Sequence, residues 1–218
     1  MKQLFHNLFL SLPLGARLLL LVYVIGFPLA LAGHYTHTFE LYSALGLSPA
    51  LVWKGQVWRL VTYGFLALGP VDWAVSTFWL ATLVSVVGRN WTSSGFWGYC
   101  VLGIVAGAIP VVLLKPGMDD VLVGNGAMIF ALLAAWDWLY HRERLILLGA
   151  GEISVRQAVI LIAIINSLIL CFCVGWFSML AMWCGGVAGW LWLRVRSKLF
   201  MGKTAQQIRS ERIARLEL

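Results

Sequence analysis

The residues best placed to do chemistry in this chain are Gly124, Asn125 and Gly126, at the head of an apolar run that continues to Trp136. Glycine permits tight turns and close backbone approach, so the two glycines leave the polar residue accessible to neighbouring helices. The Asn125 amide donates and accepts hydrogen bonds, but it is not a nucleophile. Two interpretations follow. The amide either bonds a backbone carbonyl or a water inside the protein, or it donates to a lipid carbonyl or to an unwound segment of a bound protein.

Acid–base and metal chemistry lack their usual residues near this helix start. A hydroxyl or thiol nucleophile needs a neighbouring base. The four histidines fall outside the apolar runs: His6, His34, His37 and His141. The four cysteines fall inside such runs, and none has a histidine at metal-ligand spacing: Cys100, Cys171, Cys173 and Cys184. We therefore predict no catalytic residue, no metal site and no cofactor.

The composition indicates a protein that lies in a lipid bilayer. Hydrophobic residues make up 61% of its 218 residues, and charged residues only 11%. That is more apolar surface than a soluble core absorbs. Because lipid offers the backbone no hydrogen-bond partners, continuous apolar runs that cross it must be helices. The sequence therefore predicts an all-α integral membrane protein.

Six apolar runs are candidates for transmembrane helices, with a long loop after the first. The runs cover residues 17–33, 71–88, 96–114, 121–140, 155–175 and 177–193. The stretch 36–70 carries charges among aromatic residues, which predicts a structured loop in the membrane interface rather than a seventh crossing. The first run exceeds the ~7–15 apolar residues of a signal peptide, and no small-residue cleavage site follows at once. We expect that run to be retained.

The basic residues predict the orientation. With a cytoplasmic N-terminus, 13 of the 16 Lys and Arg residues fall on the cytoplasmic side, which is the usual bias. The chain then divides into a cytoplasmic segment 1–16, a membrane domain 17–196 and a basic cytoplasmic tail 197–218, in the cell's inner (plasma) membrane. The tail is expected to form its own short helix near Thr204. The net charge of +7 favours membrane lipids over nucleic acid as the partner.

Two motifs resemble those of rhomboid intramembrane proteases. Residues 123–127 are similar to the family's Gly-x-Ser-Gly-Ala helix start, with Asn125 in the serine position. Residues 55–66 are similar to the Gly-Gln-x-Trp-Arg segment that closes the family's long first loop, and Trp58 and Arg59 match its Trp-Arg pair. Derlins, which are inactive relatives with the same core, are also similar at this pair.

A third resemblance lies in the sixth run. Its glycines are similar to those of the family's Ala-His-x-Gly-Gly/Ala helix: Gly185, Gly186 and Gly189. Trp183 stands at the histidine position, or Met182 if the glycines are aligned one residue differently. Neither side chain can take a proton, and the second run lacks the His and Asn that resemble oxyanion donors in active rhomboids. The resemblance thus implies a pseudoprotease, in which residual proteolysis through Ser178 or Cys184 would lack a base.

The resemblance implies a six-helix rhomboid-like bundle over residues 17–196, with a long interfacial first loop. In that loop, Trp58 should be buried, and Arg59 should bond backbone carbonyls or a carboxylate, or alternatively a lipid phosphate. The implied function is to bind transmembrane segments of other membrane proteins, for stabilisation, assembly or quality control. The alternative is a constitutive structural subunit of a larger inner-membrane complex.

The remaining polar and small residues of the runs have ordinary explanations. Asp72 and Asp137 lie near predicted run ends, where interface anchoring is expected, and Asn166 lies mid-run, where an interhelical hydrogen bond is expected. The Gly-x-x-x-Gly pairs 103/107 and 185/189 indicate close internal helix packing, with an oligomer interface as the alternative. Trp183 is expected to plug the cavity that a protease keeps open.

Overall fold

The computed structural model describes residues 14–36, 41–88, 91–117, 121–140, 143–147, 151–173 and 175–216. Its helices, in chain order, are α1 (Leu14–Thr36), α2 (Leu41–Leu45), α3 (Pro49–Trp53), α4 (Arg59–Thr62), α5 (Pro70–Val87), α6 (Ser93–Leu114), α7 (Gly126–Tyr140), α8 (Val155–Cys173) and α9 (Trp176–Leu216). A 3-10 turn, Tyr63–Phe65, follows α4. Each of the six predicted runs overlaps one of the helices α1 and α5 to α9.

Four of these helices are long and apolar enough to cross a membrane: α1, α5, α6 and the first part of α9, Trp176–Arg196. Helix α7 and the Val155–Ile169 part of α8 are shorter apolar helices. The prediction of a helical integral membrane protein is therefore confirmed.

Local chemistry accounts for several helix ends. Helix α5 begins with Pro70, whose missing N–H costs nothing in the first turn. Asp72 in that turn accepts the backbone N–H of Leu68 at 2.9 Å. Helix α6 is capped by Thr92, whose hydroxyl accepts the N–H of Gly95 at 3.3 Å. The Thr92 contact satisfies a donor that the start of α6 leaves without an intrahelical partner, and the Asp72 contact fixes the chain just ahead of α5.

Helix α7 is the centre of the bundle, and α5, α6, α8 and α9 all pack on it. Its small residues make close approach possible. A methyl group added at Gly103 of α6 would lie 2.7 Å from the Ala131 side chain, and one added at Gly189 of α9 would lie 3.1 Å from it. One added at Gly185 would meet the carbonyl of Ala127. The Gly-x-x-x-Gly pairs therefore pack inside the chain, as predicted.

Between α1 and α5, the described residues 41–69 form a structured loop that contains no span-length helix, as predicted. It consists of the short helices α2 to α4 and the 3-10 turn. Leu47 in this loop exchanges two backbone hydrogen bonds with Leu122, at 2.9 and 2.8 Å, just ahead of α7. The loop is thereby tied to the segment that carries Gly124 and Asn125.

At the bundle's other end, β1 (Arg144–Leu147) and β2 (Gly151–Ser154) pair as an antiparallel hairpin between α7 and α8. The hairpin satisfies backbone groups in a segment that lies outside the helix bundle. The tail forms no separate helix, contrary to prediction, because α9 continues unbroken to Leu216. Residues 194–216 are mostly good helix formers without proline, and the cost of Gly202, roughly 1 kcal/mol, does not stop them.

Candidate functional site

A cavity of about 370 Å³ lies at the head of α7, among α5, α7, α8 and α9. Aliphatic and aromatic side chains form most of its wall. A few polar side chains interrupt that wall: Asp72, Ser76, Asn125, Asn166 and Ser178. The cavity therefore combines an apolar surface with a small number of hydrogen-bonding groups, which is the usual make-up of a binding site.

Asn125 is held at the cavity by the backbone on both sides of it. Gly124 adopts a φ of +131°, which L side chains rarely adopt, and its N–H donates to the Tyr63 carbonyl at 3.2 Å. The Asn125 carbonyl accepts the N–H of Ile129 at 3.0 Å, which starts α7. The predicted helix start at Gly124-Asn125-Gly126 is thus confirmed, and it fixes the amide beside the cavity.

The Asn125 side chain is buried, with 3% of its surface exposed. Its Oδ1 accepts the hydroxyl of Ser76 on α5 at 3.1 Å. Its Nδ2 has no hydrogen-bond partner among the described residues. Leaving a buried donor without a partner costs about 1–3 kcal/mol. The amide is therefore available to an acceptor that enters the cavity.

Ser76 connects Asn125 to a carboxylate. Its Oγ lies 3.3 Å from Asp72 Oδ1 as well as 3.1 Å from Asn125 Oδ1, and a hydroxyl has a single proton to donate. Asp72 also contacts the first loop, where it accepts the N–H of Leu68. The partial burial of Tyr42, together with the nearby negative charge of Asp72, raises the pKa of the Tyr42 hydroxyl. Asp72 is therefore part of this polar network and more than the interface anchor that was predicted.

Ser76 was not among the residues predicted from the sequence. The available signal was its position four residues after Asp72 in an apolar helix, because residues i and i+4 lie on the same helix face. Serine is also common in membrane helices for packing and for bonds to its own backbone. A serine in an apolar helix is therefore weak evidence for a functional site.

The sixth apolar helix contributes Met182 rather than Trp183. Met182 lines the cavity and is buried, and a methyl group added at Gly126 would meet its Cγ at 2.6 Å. Trp183 points elsewhere: its Nε1 donates to Ser167 Oγ of α8 at 2.9 Å, and 44% of its surface is exposed. Of the two alignments, the structure brings Met182 to Asn125. The expectation that Trp183 plugs the cavity is wrong.

The helix glycines of this region serve close packing. Gly185 lies against Ala127 and Gly186 against Phe130, both residues of α7. Gly189 lies against Ala131 and the Tyr99 hydroxyl. They bring α9 close enough for Met182 to reach the head of α7.

Asn166 reaches the cavity from α8, but among the described residues its side chain does not bridge two helices. Its Nδ2 donates to the Ile162 carbonyl of its own helix at 2.9 Å. The predicted interhelical bond is therefore wrong. A carbonyl four residues earlier lies directly within reach of a helical side chain, so the local bond forms without a neighbour.

The Trp58-Arg59 pair gives one confirmed and one wrong prediction. Arg59 is 4% exposed and donates from Nη1 to the Gly46 carbonyl at 2.6 Å and from Nε to Gln56 Oε1 at 2.7 Å. These bonds fix the loop beneath the cavity, as predicted. Trp58 is 51% exposed instead of buried. An indole at a membrane interface is stable there without protein contacts, because its ring is apolar and its N–H is polar.

The cavity has an opening between α5 and α8. Both helices line it, yet α5 packs mainly on α1 and α7, and α8 packs mainly on α7 and α9. Val71 and Val75 of α5 and Ile169 of α8 line the cavity and are also 77%, 50% and 55% exposed. An apolar chain in the bilayer can therefore reach the cavity from the side.

The described lining residues offer hydrogen-bonding groups and an apolar surface. Among the described lining residues, the hydroxyls are those of Tyr63, Ser76 and Ser178, and no histidine or lysine is present to deprotonate them. What the site offers is the Asn125 N–H donor, the Ser76–Asp72 acceptors and an apolar wall. Those groups suit a ligand that carries one carbonyl in an otherwise apolar chain.

Comparison with known families assigns the chain to a family. The model of the family described as eukaryotic integral membrane protein (DUF1751) matches residues 17–204. Because this match covers most of the chain, the protein belongs to that family. No curated protein matches the chain.

Proposed function

We propose that this member of the family is a catalytically inactive, rhomboid-like protein that binds transmembrane segments of other membrane proteins. The observation that carries the proposal is the Asn125 amide. Its Nδ2 is buried and without a partner among the described residues, at an apolar cavity that opens sideways between α5 and α8. Binding of this kind serves stabilisation, assembly or quality control of the bound proteins.

The order of helices and the contacts at the site support a rhomboid-like architecture of six crossings. The serine-equivalent Asn125 and the histidine-equivalent Met182 line one cavity, where a rhomboid would hold its catalytic pair. The buried Arg59 fixes the long first loop. The proposed orientation places both termini in the cytoplasm and this cavity toward the outer side of the membrane.

The absence of proteolysis is part of the proposal and follows from chemistry. Peptide hydrolysis needs an activated hydroxyl and donors that face the developing oxyanion. Asn125 supplies no hydroxyl, and Met182 supplies no base. Asp72 lies next to Ser76, but a carboxylate is a much weaker base than the imidazole that usually activates a serine hydroxyl.

The proposed binding mode uses an irregularity in the bound helix. A regular transmembrane helix has its carbonyls satisfied, whereas a helix that unwinds near its end exposes one or more. Such a carbonyl could accept from Asn125 Nδ2 while the flanking apolar side chains lie against Val75 and Ile169. Segments with glycine, proline or polar residues near the outer interface would be preferred.

Site-specific photocrosslinking in native membranes tests this proposal. A photoreactive amino acid at Val75 or Ile169 should capture membrane proteins, because both residues are at the opening. The matched control is Leu113 of α6, which is 62% exposed and does not line the cavity. Asn125→Leu should reduce capture at Ile169 without changing expression. Equal capture at all three positions, insensitive to Asn125→Leu, would contradict the proposal.

The same experiment distinguishes the alternative role. A constitutive structural subunit of a larger inner-membrane complex would crosslink to one or a few partners in fixed stoichiometry, through outer helix faces such as that of Leu113. Client binding would give a mixed, substoichiometric set of proteins captured at the opening.

A further inference from the structure

A second pocket lies at the other end of α7, where α7, α8 and α9 meet. It encloses about 340 Å³ and is lined by Asp137, Trp138, Arg156, Trp190 and Arg194. The lining thus contains two guanidinium groups and one carboxylate. Indole rings beside arginines are typical of the depth at which lipid headgroups lie.

An apolar groove continues from this pocket along the same helices. The groove encloses about 210 Å³, and its wall includes Ala163 of α8 and Val187 of α9. Trp190 lines both the pocket and the groove, so the two adjoin at its side chain. Trp183 also lines the groove and joins α9 to α8 through its hydrogen bond to Ser167. The pocket therefore contributes charged groups, and the groove beside it is apolar.

We propose that the pocket and the groove together bind one anionic phospholipid. The phosphate lies at Arg156 and Arg194, and one acyl chain follows the groove toward Trp183. From residue 194 to residue 183 a helix rises about 16 Å, which is about half of the ~30 Å hydrocarbon thickness. The length of this surface therefore matches one lipid of a single leaflet, with the headgroup at the pocket and one acyl chain in the groove.

The two arginines are held in place for this role. Arg156 Nε donates to Asp137 Oδ1 at 3.3 Å. This hydrogen bond restricts the orientation of the Arg156 guanidinium group. The Arg194 guanidinium lies over the Trp190 ring, 5.0 Å from its centre, as in a cation–π contact. Guanidinium groups bind phosphate oxygens with paired N–H donors. Fixing both groups before binding lowers the entropic cost of forming those bonds.

The two guanidinium groups favour an anionic headgroup. A phosphate diester such as that of phosphatidylserine carries a net negative charge near neutral pH, whereas phosphatidylcholine brings a cation that the arginines repel. Free inorganic phosphate shares the headgroup chemistry but has no chain for the groove. The apolar groove is what distinguishes a lipid from an ion as the occupant.

Binding can be measured on the full chain purified in mild detergent. The protein is titrated separately with phosphatidylserine, with phosphatidylcholine of the same acyl chains, and with inorganic phosphate. Bound lipid is counted by native mass spectrometry, and the thermal melt is recorded in parallel. We expect phosphatidylserine to bind more tightly than phosphatidylcholine and to raise the melting temperature, with little effect from phosphate. Arg156→Gln and Arg194→Gln should each weaken phosphatidylserine binding about fivefold.

Arg144→Gln is the matched control, because it removes the same charge from the exposed hairpin, where Arg144 pairs with Glu152. It should leave lipid binding unchanged. Phosphatidylserine with short acyl chains should bind more weakly than the long-chain lipid, which tests the groove without any variant. Ala163→Phe should have the same effect by filling the groove.

Three results would overturn the proposal. The first is equal binding of the two long-chain lipids. The second is an equal loss of binding in Arg144→Gln and Arg194→Gln. The third is stabilisation by inorganic phosphate as large as that by phosphatidylserine, which would make the pocket an ion site.

Discussion

At the scale of single residues, the cavity depends on a few polar atoms in an apolar wall. Asn125 accepts from Ser76 and keeps a free donor, and Ser76 shares its one proton between Asn125 and Asp72. Each of these groups costs free energy to bury, and small-residue packing alone would not require them. Their arrangement is accounted for if the cavity is occupied by a ligand with a hydrogen-bond acceptor.

The serine of an active rhomboid can be restored at position 125, and we expect this to create no protease. A hydroxyl without a base keeps its proton at neutral pH. Asn125→Ser alone should therefore be inactive against a transmembrane reporter. The structure indicates Met182→His as the better second change, since Met182 lines the cavity, and Trp183→His as the poorer one. In neither double variant do neighbouring side chains orient the new imidazole, so both should also be inactive.

The measurement is cleavage of the reporter in membranes, with an active rhomboid as the positive control. Cleavage by the unmodified protein that is lost in Asn125→Ala or Cys184→Ala would contradict the pseudoprotease proposal. Gain of cleavage in the Met182→His double variant, but not in the Trp183→His one, would support the alignment while correcting the expectation of inactivity.

At the scale of elements, the first loop is fixed by Arg59. Arg59→Ala would remove two hydrogen bonds from a charged donor and leave the Gly46 carbonyl without that partner, at a cost of about 2–4 kcal/mol. The thermal melt in detergent should fall by several degrees. Lys54→Ala removes the same charge from an exposed loop position and should leave the melt unchanged. An unaltered melt for Arg59→Ala would indicate that its contacts are not structural.

The packing of α9 on α7 depends on glycine at position 185. A methyl group there would lie 2.5 Å from the Ala127 carbonyl oxygen, which is closer than real contacts allow, so Gly185→Ala should separate the helices and destabilise the protein by about 1–3 kcal/mol. The control is Gly98→Ala in α6, where a methyl group meets nothing within 4 Å. There the better helix propensity of alanine should leave stability equal or raised by up to about 1 kcal/mol. Equal melting temperatures for the two variants would contradict the close packing.

The elements were largely predictable, and the contacts between them were not. Apolar runs and the glycines at 124 and 126 identified the helices and the start of α7, because both are local properties of the chain. Whether Met182 or Trp183 faces Asn125 depends on how α9 is rotated about its axis. The packing of Gly185 and Gly189 on α7 determines that rotation. Ser76 and the exposure of Trp58 likewise follow from tertiary position. The capping pattern at Thr204 predicted a new helix start, but no helix stop precedes it, so α9 continues through this position.

At the scale of the whole molecule, the number of crossings depends on α7. Its 15 residues span about 22 Å, which is short of a ~30 Å hydrocarbon layer. A short helix can still complete a crossing if its ends are reached by non-helical backbone that is buried in protein. The segment before α7 meets that condition, since Leu122 pairs with Leu47 and Gly124 bonds Tyr63. We therefore expect α7 to cross, with its head below the outer surface.

This expectation makes a prediction about the two connections that flank α7. The turn at Gly117 and the hairpin at Glu152 should lie on opposite sides of the membrane. A cysteine introduced by Gly117→Cys should react with a membrane-impermeant maleimide added to intact cells, whereas Glu152→Cys should react only after permeabilisation. The unmodified protein controls for its native cysteines. Labelling of both positions from the same side would mean that α7 does not cross the membrane. The rhomboid-like architecture would then be wrong, because the cavity, its opening and the lipid groove are all built on α7.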